Sequence, residues 1–140
     1  MSKVAVVYWS STGNTEAMAN AIAEGAKMAG ADTDIFTASD FDSGKAAEFD
    51  AIAFGCPAMG AEELDDTEFE PMFSGVESAI THKKVALFGS YGWGDGQWMR
   101  DWVDRCKQSG INLINDGLIA NEAPNDADLA NCRALGASLN

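Results

Sequence analysis

Along the chain, short continuous apolar runs alternate with stretches that are apolar at every third or fourth position. Residues 4–8 (Val-Ala-Val-Val-Tyr) have the unbroken apolar character of a strand buried on both faces. Residues 15–29 follow with Met18, Ile22, Ala26 and Ala29 on one helical face, and Gly30 ends them. Residues 34–37 and 51–54 read as the second and third strands, the latter closed by Gly55-Cys56-Pro57. A helix is expected over 69–80, with Pro71 confined to its first turn. Residues 85–88 form a fourth strand. Residues 97–108 form a helix with Trp98, Trp102, Val103 and Cys106 in register, ended by Gly110. A fifth strand over 111–120 is interrupted at Asn115-Asp116-Gly117. A last helix over 126–139 turns Leu129, Cys132, Leu135 and Leu139 inward, with Pro124 just before it.

Strand and helix in strict alternation predict a parallel sheet covered by helices on both faces. No linker, repeat or low-complexity stretch divides the chain, so residues 1–140 read as one doubly wound α/β domain of five strands. In such sheets ligands bind beyond the carboxyl ends of the strands, where the strand order switches. The segments after the first, third and fourth strands are therefore the places to look for chemistry.

After the first strand comes Trp9-Ser10-Ser11-Thr12-Gly13-Asn14-Thr15. Hydroxyls, an amide and a glycine at a helix N-terminus suit a phosphate, held by neutral donors and the helix dipole because no Lys or Arg is present. The same residues also suit a well-capped helix with no ligand. A Walker A loop is absent: Gly44-Lys45 is followed by Ala46, and residue 39 is Ser. The glycines at 92, 94 and 96 follow the fourth strand and lack dinucleotide-binding spacing. Tyr8-Trp9-Ser10 replaces the acidic residues of a phospho-acceptor domain. After the third strand comes Gly55-Cys56-Pro57-Ala58-Met59-Gly60-Ala61-Glu62-Glu63, and after the fourth Gly89-Ser90-Tyr91-Gly92-Trp93-Gly94-Asp95-Gly96. A Trp in a glycine-rich loop can stack on a flat ligand, and a polarizable Met can cover its other face. Each alone can equally pack against its own loop or cap the core edge.

Charge narrows the partners. The chain of 140 residues carries 9 basic and 22 acidic side chains, for a net −13, which disfavours nucleic acid and anionic membrane. Its apolar fraction of 46% is that of a globular protein, and no stretch approaches the roughly 20 apolar residues of a membrane span. No signal peptide is expected ahead of the first strand. Three widely spaced cysteines, Cys56, Cys106 and Cys132, form no framework or zinc motif and point to a reducing, cytoplasmic setting. His82 is the one histidine and is expected on the surface.

The three loops together resemble the flavodoxins, in particular the short-chain group of anaerobic bacteria. Residues 10–15 resemble that family's S-[GS]-T-G-N-T loop, 55–63 its G-C-[SP]-A-M-G-x-E-[EV] loop, and 88–96 its F-G-S-Y-G-W-G-x-G loop. Glu68-Phe69-Glu70-Pro71, Trp98-Met99 and Asn121-Glu122-Ala123-Pro124 fall at matching distances. The resemblance implies strand order 2-1-3-4-5, non-covalent FMN, and a low-potential one-electron carrier shuttling between hydroquinone and neutral semiquinone rather than an enzyme. It implies a cofactor site of Ser10, Ser11, Thr12, Gly13, Asn14, Thr15, Pro57, Ala58, Met59, Gly60, Ala61, Glu62, Ser90, Tyr91, Gly92, Trp93 and Gly94. In it Ser10, Thr12, Asn14 and Thr15 hold the phosphate, Ser90 and Pro57-Ala58 follow the ribityl chain, Trp93 and Met59 cover the ring, and Glu62 accepts from N3–H. The peptide after Gly60 flips on reduction, which glycine's tolerance of positive φ permits. Ser11 and Ala61 depart from the family's commoner residues, glycine at the first and a small or polar residue at the second.

Glu62, Glu63, Asp65, Asp66 and Glu68 crowd one loop beside this site, with Glu70 close behind. They read either as a solvated face or as an acidic rim for basic redox proteins, where such charge raises the on-rate more than the affinity. A monomer is expected. An FMN-dependent quinone or flavin reductase on the same scaffold is the competing reading.

Overall fold

A computed structural model describes residues 2–140. Five parallel strand positions lie in the order 2-1-3-4-5: β1 (Lys3–Tyr8), β2 (Asp32–Thr37), β3 (Ala51–Gly55), β4 (Lys84–Tyr91), and a divided last strand, β5 (Asn112–Leu113) and β6 (Leu118–Asn121), both on β4. The helices are α1 (Asn14–Met28), α2 (Ser43–Ala46), α3 (Phe69–Val76), α4 (Gln97–Gln108) and α5 (Asp126–Ser138).

Alternation along each buried strand feeds two cores. Val4 and Val6 of β1, Ala53 of β3 and Phe88 of β4 pack with Met18, Ile22 and Ala26 of α1 and Cys132 of α5. Ala5 and Val7, Ile52 and Phe54, and Val85 and Leu87 face the other way, onto Phe69 and Phe73 of α3 and Trp98 and Trp102 of α4. α1 and α5 approach so closely that a Cβ on Gly25 would strike the Arg133 carbonyl, and one on Gly136 the Ile22 carbonyl.

Several elements differ from the sequence reading, and β2 begins two residues earlier than expected, at Asp32. The helix expected over 69–80 ends at Val76 and tightens into a 3-10 turn, Glu77–Ala79, which swings Ile80 fully into the core. β4 continues through Gly89-Ser90-Tyr91, because these residues pair with Ile119, Ala120 and Asn121 of β6; sheet pairing overrides their loop-like composition. Ala29, expected on the inner face of α1, is exposed just beyond the helix end. A 3-10 turn at Ala38–Asp40 and the short α2 went unread; Asp42 caps α2 by accepting from the Lys45 N–H at 2.9 Å. The break in the last strand is bridged by Asn115, whose side chain accepts from the Leu87 N–H and donates to the Leu87 carbonyl, both at 3.1 Å. That amide stands in for the missing strand peptide.

The carboxyl ends of β1, β3 and β4 open on one edge of the sheet. The order switches there, with β2 on one side of β1 and β3 on the other.

Candidate functional site

At that edge lies a cavity of about 540 Å³, lined by Ser11, Thr12 and Asn14 after β1, by Pro57, Ala58 and Met59 after β3, and by Ser90, Tyr91, Gly92 and Trp93 at the end of β4. Glu122 and Ala123, beyond β6, complete the wall. No Lys or Arg is among the lining residues. Trp93 is 49% exposed, so its indole is available from the solvent side.

The β1–α1 turn is built around Ser10. Its hydroxyl accepts from the Gly13 N–H at 3.1 Å and the Glu16 N–H at 3.3 Å. Gly13 takes φ +94 as the N-cap, a left-handed conformation that favours glycine. Among the described residues the N–H groups of Asn14 and Thr15 have no acceptor. Two orphan donors at a helix N-terminus, with the Ser11 and Thr12 hydroxyls beside them, make the donor set of an anion site. Thr15 itself lies behind the cavity, 1% exposed, with its hydroxyl bonded to that of Ser90 at 2.8 Å.

The segment after β3 closes on itself. Met59 and Glu63 exchange both backbone hydrogen bonds at 2.8 Å, so residues 59–63 form a tight hairpin. Gly60 sits in it at φ +53 with open space around it. Glu62 takes φ +56, a strained conformation for a side-chain-bearing residue. Its Oε1 accepts from the Asp95 N–H at 3.0 Å, clasping the hairpin to the loop after β4. Gly94, at φ +79, lies against that carboxylate.

The structure thus brings Ser11, Thr12, Asn14, Pro57, Ala58, Met59, Ser90, Tyr91, Gly92 and Trp93 around one space. Ser10 and Gly13 face a neighbouring cleft, and Gly60 a smaller one under Met59. Ala61, Glu62 and Gly94 lie outside the lining. Glu122 and Ala123 were not singled out as site residues. Their signal was the Asn-Glu-Ala-Pro stretch just past the last strand, where Glu122 takes φ +58 and its N–H donates to the Tyr91 carbonyl at 2.7 Å.

The acidic loop is less uniform than its composition suggests. Asp65, expected on the rim, is only 5% exposed. Its carboxylate accepts from the Glu68 N–H at 2.8 Å, the Phe69 N–H at 2.9 Å and the Thr67 hydroxyl at 2.8 Å, capping α3. Burial alone would raise its carboxyl, but these bonds outweigh burial and hold it below its ordinary value. Glu70 pairs with Arg105 at 2.7 Å. Glu68 is exposed but accepts from Trp9 Nε1 at 3.1 Å. Glu63 and Asp66 are exposed. Cys56 is fully buried; desolvation raises its thiol to about 12, and its Sγ accepts from the Asp65 N–H at 3.4 Å, so it is a structural group.

The donor set, the cavity lined by both Met59 and Trp93, and the switch-point location fit a phosphate-bearing planar ligand such as FMN. Comparison with known proteins agrees. The flavodoxin family pattern matches residues 6–136. The chain is 47% identical over 133 residues to a flavodoxin of Megasphaera elsdenii, covering 95% of each chain. It is 45% identical over 123 residues to one of Clostridium beijerinckii, covering 88% of this chain and 89% of that one. The solution structure of the two-electron reduced Megasphaera elsdenii flavodoxin superposes with a TM-score of 0.86 at 46% identity, covering 97% of each chain. The chain therefore belongs to the flavodoxin family, the FMN-binding proteins that transfer electrons rather than catalyse a reaction of their own.

Proposed function

We propose that residues 1–140 act as a single carrier domain whose FMN is held in the cavity between the three loops. The observation that carries this reading is the pair of unpartnered N–H groups at the start of α1, Asn14 and Thr15, of which Asn14 lines the same cavity as Met59 and Trp93. The bound cofactor supplies the capacity to take up and release electrons one at a time. The protein's part is positional. Ser10 shapes the turn so that the α1 dipole and the hydroxyls of Ser11 and Thr12 receive the phosphate. With no Lys or Arg nearby, neutral donors carry that task. Ser90 and the Pro57-Ala58 stretch lie along the path from the phosphate to the ring. Met59 and Trp93 enclose the ring and exclude water, while Tyr91, Gly92, Gly94 and Glu62 shape its polar edge. Gly60 and Ala61 form the peptide free to reorient; the left-handed φ and open surroundings of Gly60 support that role.

Carriers of this family serve redox oxidoreductases. Glu63 and Asp66, together with the exposed Glu68, make the acidic rim that steers basic partners by long-range attraction, in keeping with the net charge of −13. Fast, weak encounters of this kind suit a monomer. The free, buried cysteines suit the cytoplasm, and among the described residues no helix is long and apolar enough to cross a membrane.

The test is an anaerobic reductive titration of the FMN-loaded protein followed by visible absorbance. Two resolved one-electron steps support the carrier reading. A single two-electron step together with NAD(P)H oxidation overturns it in favour of a reductase.

A further inference from the structure

We propose that Arg100 is a positioning residue for Trp93: from near the start of α4 its guanidinium holds Asp95 in place and so fixes the glycine-rich loop that carries the indole to the cofactor. The inference rests on the carrier reading, in which Trp93 covers the ring, and adds to it a residue that does not line the cavity.

Three glycines among residues 92–96 give this stretch wide backbone freedom, and Gly94 and Gly96 take left-handed φ values of +79 and +92. Among the described residues, no hydrogen bond between backbone groups holds residues 93–95. Trp93 is half-exposed, which leaves packing little hold on its indole. A loop of this kind needs a tie from outside to present a large ring in one place.

That tie is made at Asp95, through three of its atoms. Its N–H donates to Glu62 Oε1 at 3.0 Å. Its carbonyl accepts from Arg100 Nη1 at 3.0 Å, and its Oδ1 accepts from Arg100 Nη2 at 2.9 Å. The same Nη2 donates to Gln97 Oε1 at 2.9 Å, and Gln97 Nε2 donates to Asp101 Oδ1 at 2.7 Å. Arg100 thus grips both backbone and side chain of one loop residue, and Gln97 orients its fork. The Glu62 tie shares a carboxylate with the cofactor contact expected of that residue. The Arg100 fork has no second duty.

The Arg100 and Asp95 side chains are 54% and 80% exposed, so as an ion pair they add little to global stability. Their effect is local. Ordering a flexible loop before a ligand arrives removes that ordering cost from binding. The geometry calls for a guanidinium. Its planar fork reaches a carbonyl and a carboxylate oxygen from two nitrogens, whereas an ammonium presents all its donors from one atom on a flexible stem. Arg100→Lys therefore keeps the charge and loses the grip.

The experiment compares the full chain with Arg100→Lys and Arg100→Gln. Indole ¹⁵N relaxation in the FMN-free protein reads loop order, with the buried Trp98 and Trp102 as internal references. The heteronuclear NOE should fall at Trp93 in both variants and stay unchanged at Trp98 and Trp102. The FMN dissociation constant, from fluorescence titration, should rise about fivefold in both, as expected for an exposed bidentate pair. The urea midpoint of the FMN-free protein should stay that of the parent. An Arg100→Lys variant with the parent's Trp93 order and FMN affinity would overturn the proposal in favour of charge alone. A lowered urea midpoint that accounts for the weaker binding, or an unchanged Trp93 NOE, would overturn it equally. A parent chain that takes up no FMN fails the carrier reading, and the relaxation comparison on that same chain still decides whether Arg100 orders Trp93.

Discussion

The hydroxyls of Thr15 and Ser90 share a hydrogen bond of 2.8 Å, joining the first turn of α1 to the carboxyl end of β4. The Ser90 N–H also donates to Thr15 Oγ1 at 3.3 Å. Both side chains are buried, so this pair fixes the phosphate-type turn to the strand that carries the opposite wall of the cavity. Thr15→Val keeps the shape and removes the hydroxyl. The Ser90 groups then lack a buried partner, at a cost of about 1–3 kcal/mol. Urea unfolding of the FMN-free variant measures it. Thr15→Ser should retain most of the stability, and a Val variant as stable as the parent would show the pair to be dispensable.

Gly94 is held in place by Glu62. A methyl group at residue 94 would run into the Glu62 carboxylate, and the φ of +79 is itself costly for alanine. Gly94→Ala should release the Glu62–Asp95 hydrogen bond, loosen the 59–63 hairpin and weaken FMN binding, read by fluorescence titration. In a Glu62→Ala background the steric part disappears, so the two substitutions should be non-additive. Additive effects on affinity would mean that the clasp plays no part in holding the loops.

Asp65 makes stability sensitive to acid. Its native carboxyl lies below the ordinary value of 3.8, so its contribution is fully present above that pH and is lost as pH falls through the lower native value. Asp65→Asn keeps the size and loses the charge-assisted bonds to the start of α3. The variant should be less stable than the parent at pH 7 by about 1–2 kcal/mol, in the range of a lost helix cap. The gap should narrow toward pH 3. A gap that stays constant between those pH values would show that the carboxylate charge is not what stabilises the cap.

The packing of α1 on α5 rests on small residues. A Cβ on Gly136 would collide with the Ile22 carbonyl, which is backbone and cannot rotate away. Gly136→Ala improves intrinsic helix propensity. It should nonetheless lower the thermal midpoint, because separating the helices costs about 1–3 kcal/mol as overpacking does. A raised midpoint would show that the helices part without loss.

Much of this was readable from residue order. The β-branched and alanine-rich runs at 4–7, 51–54 and 85–88 became central strands because nothing in them is polar enough to face water. α4 matched at both ends, since its apolar spacing and the glycine beyond its last turn agree. The loop motifs lie at the carboxyl edge of the sheet, and residues of all three loops line one cavity there.

Contacts between distant segments were not readable in this way. Asp65 looked like one more acid in an exposed run, and only the approach of α3's free N–H groups turned it into a buried cap. Gly89-Ser90-Tyr91 looked like loop until β6 arrived to pair with it. Gly136 carried no local signal at all; its need comes from a carbonyl on α1 more than a hundred residues away. Local propensity and hydrophobic period act within a turn or a strand and are written in neighbouring residues. Hydrogen-bond satisfaction and close packing depend on which surfaces meet, and that is decided when the sheet and its helices assemble.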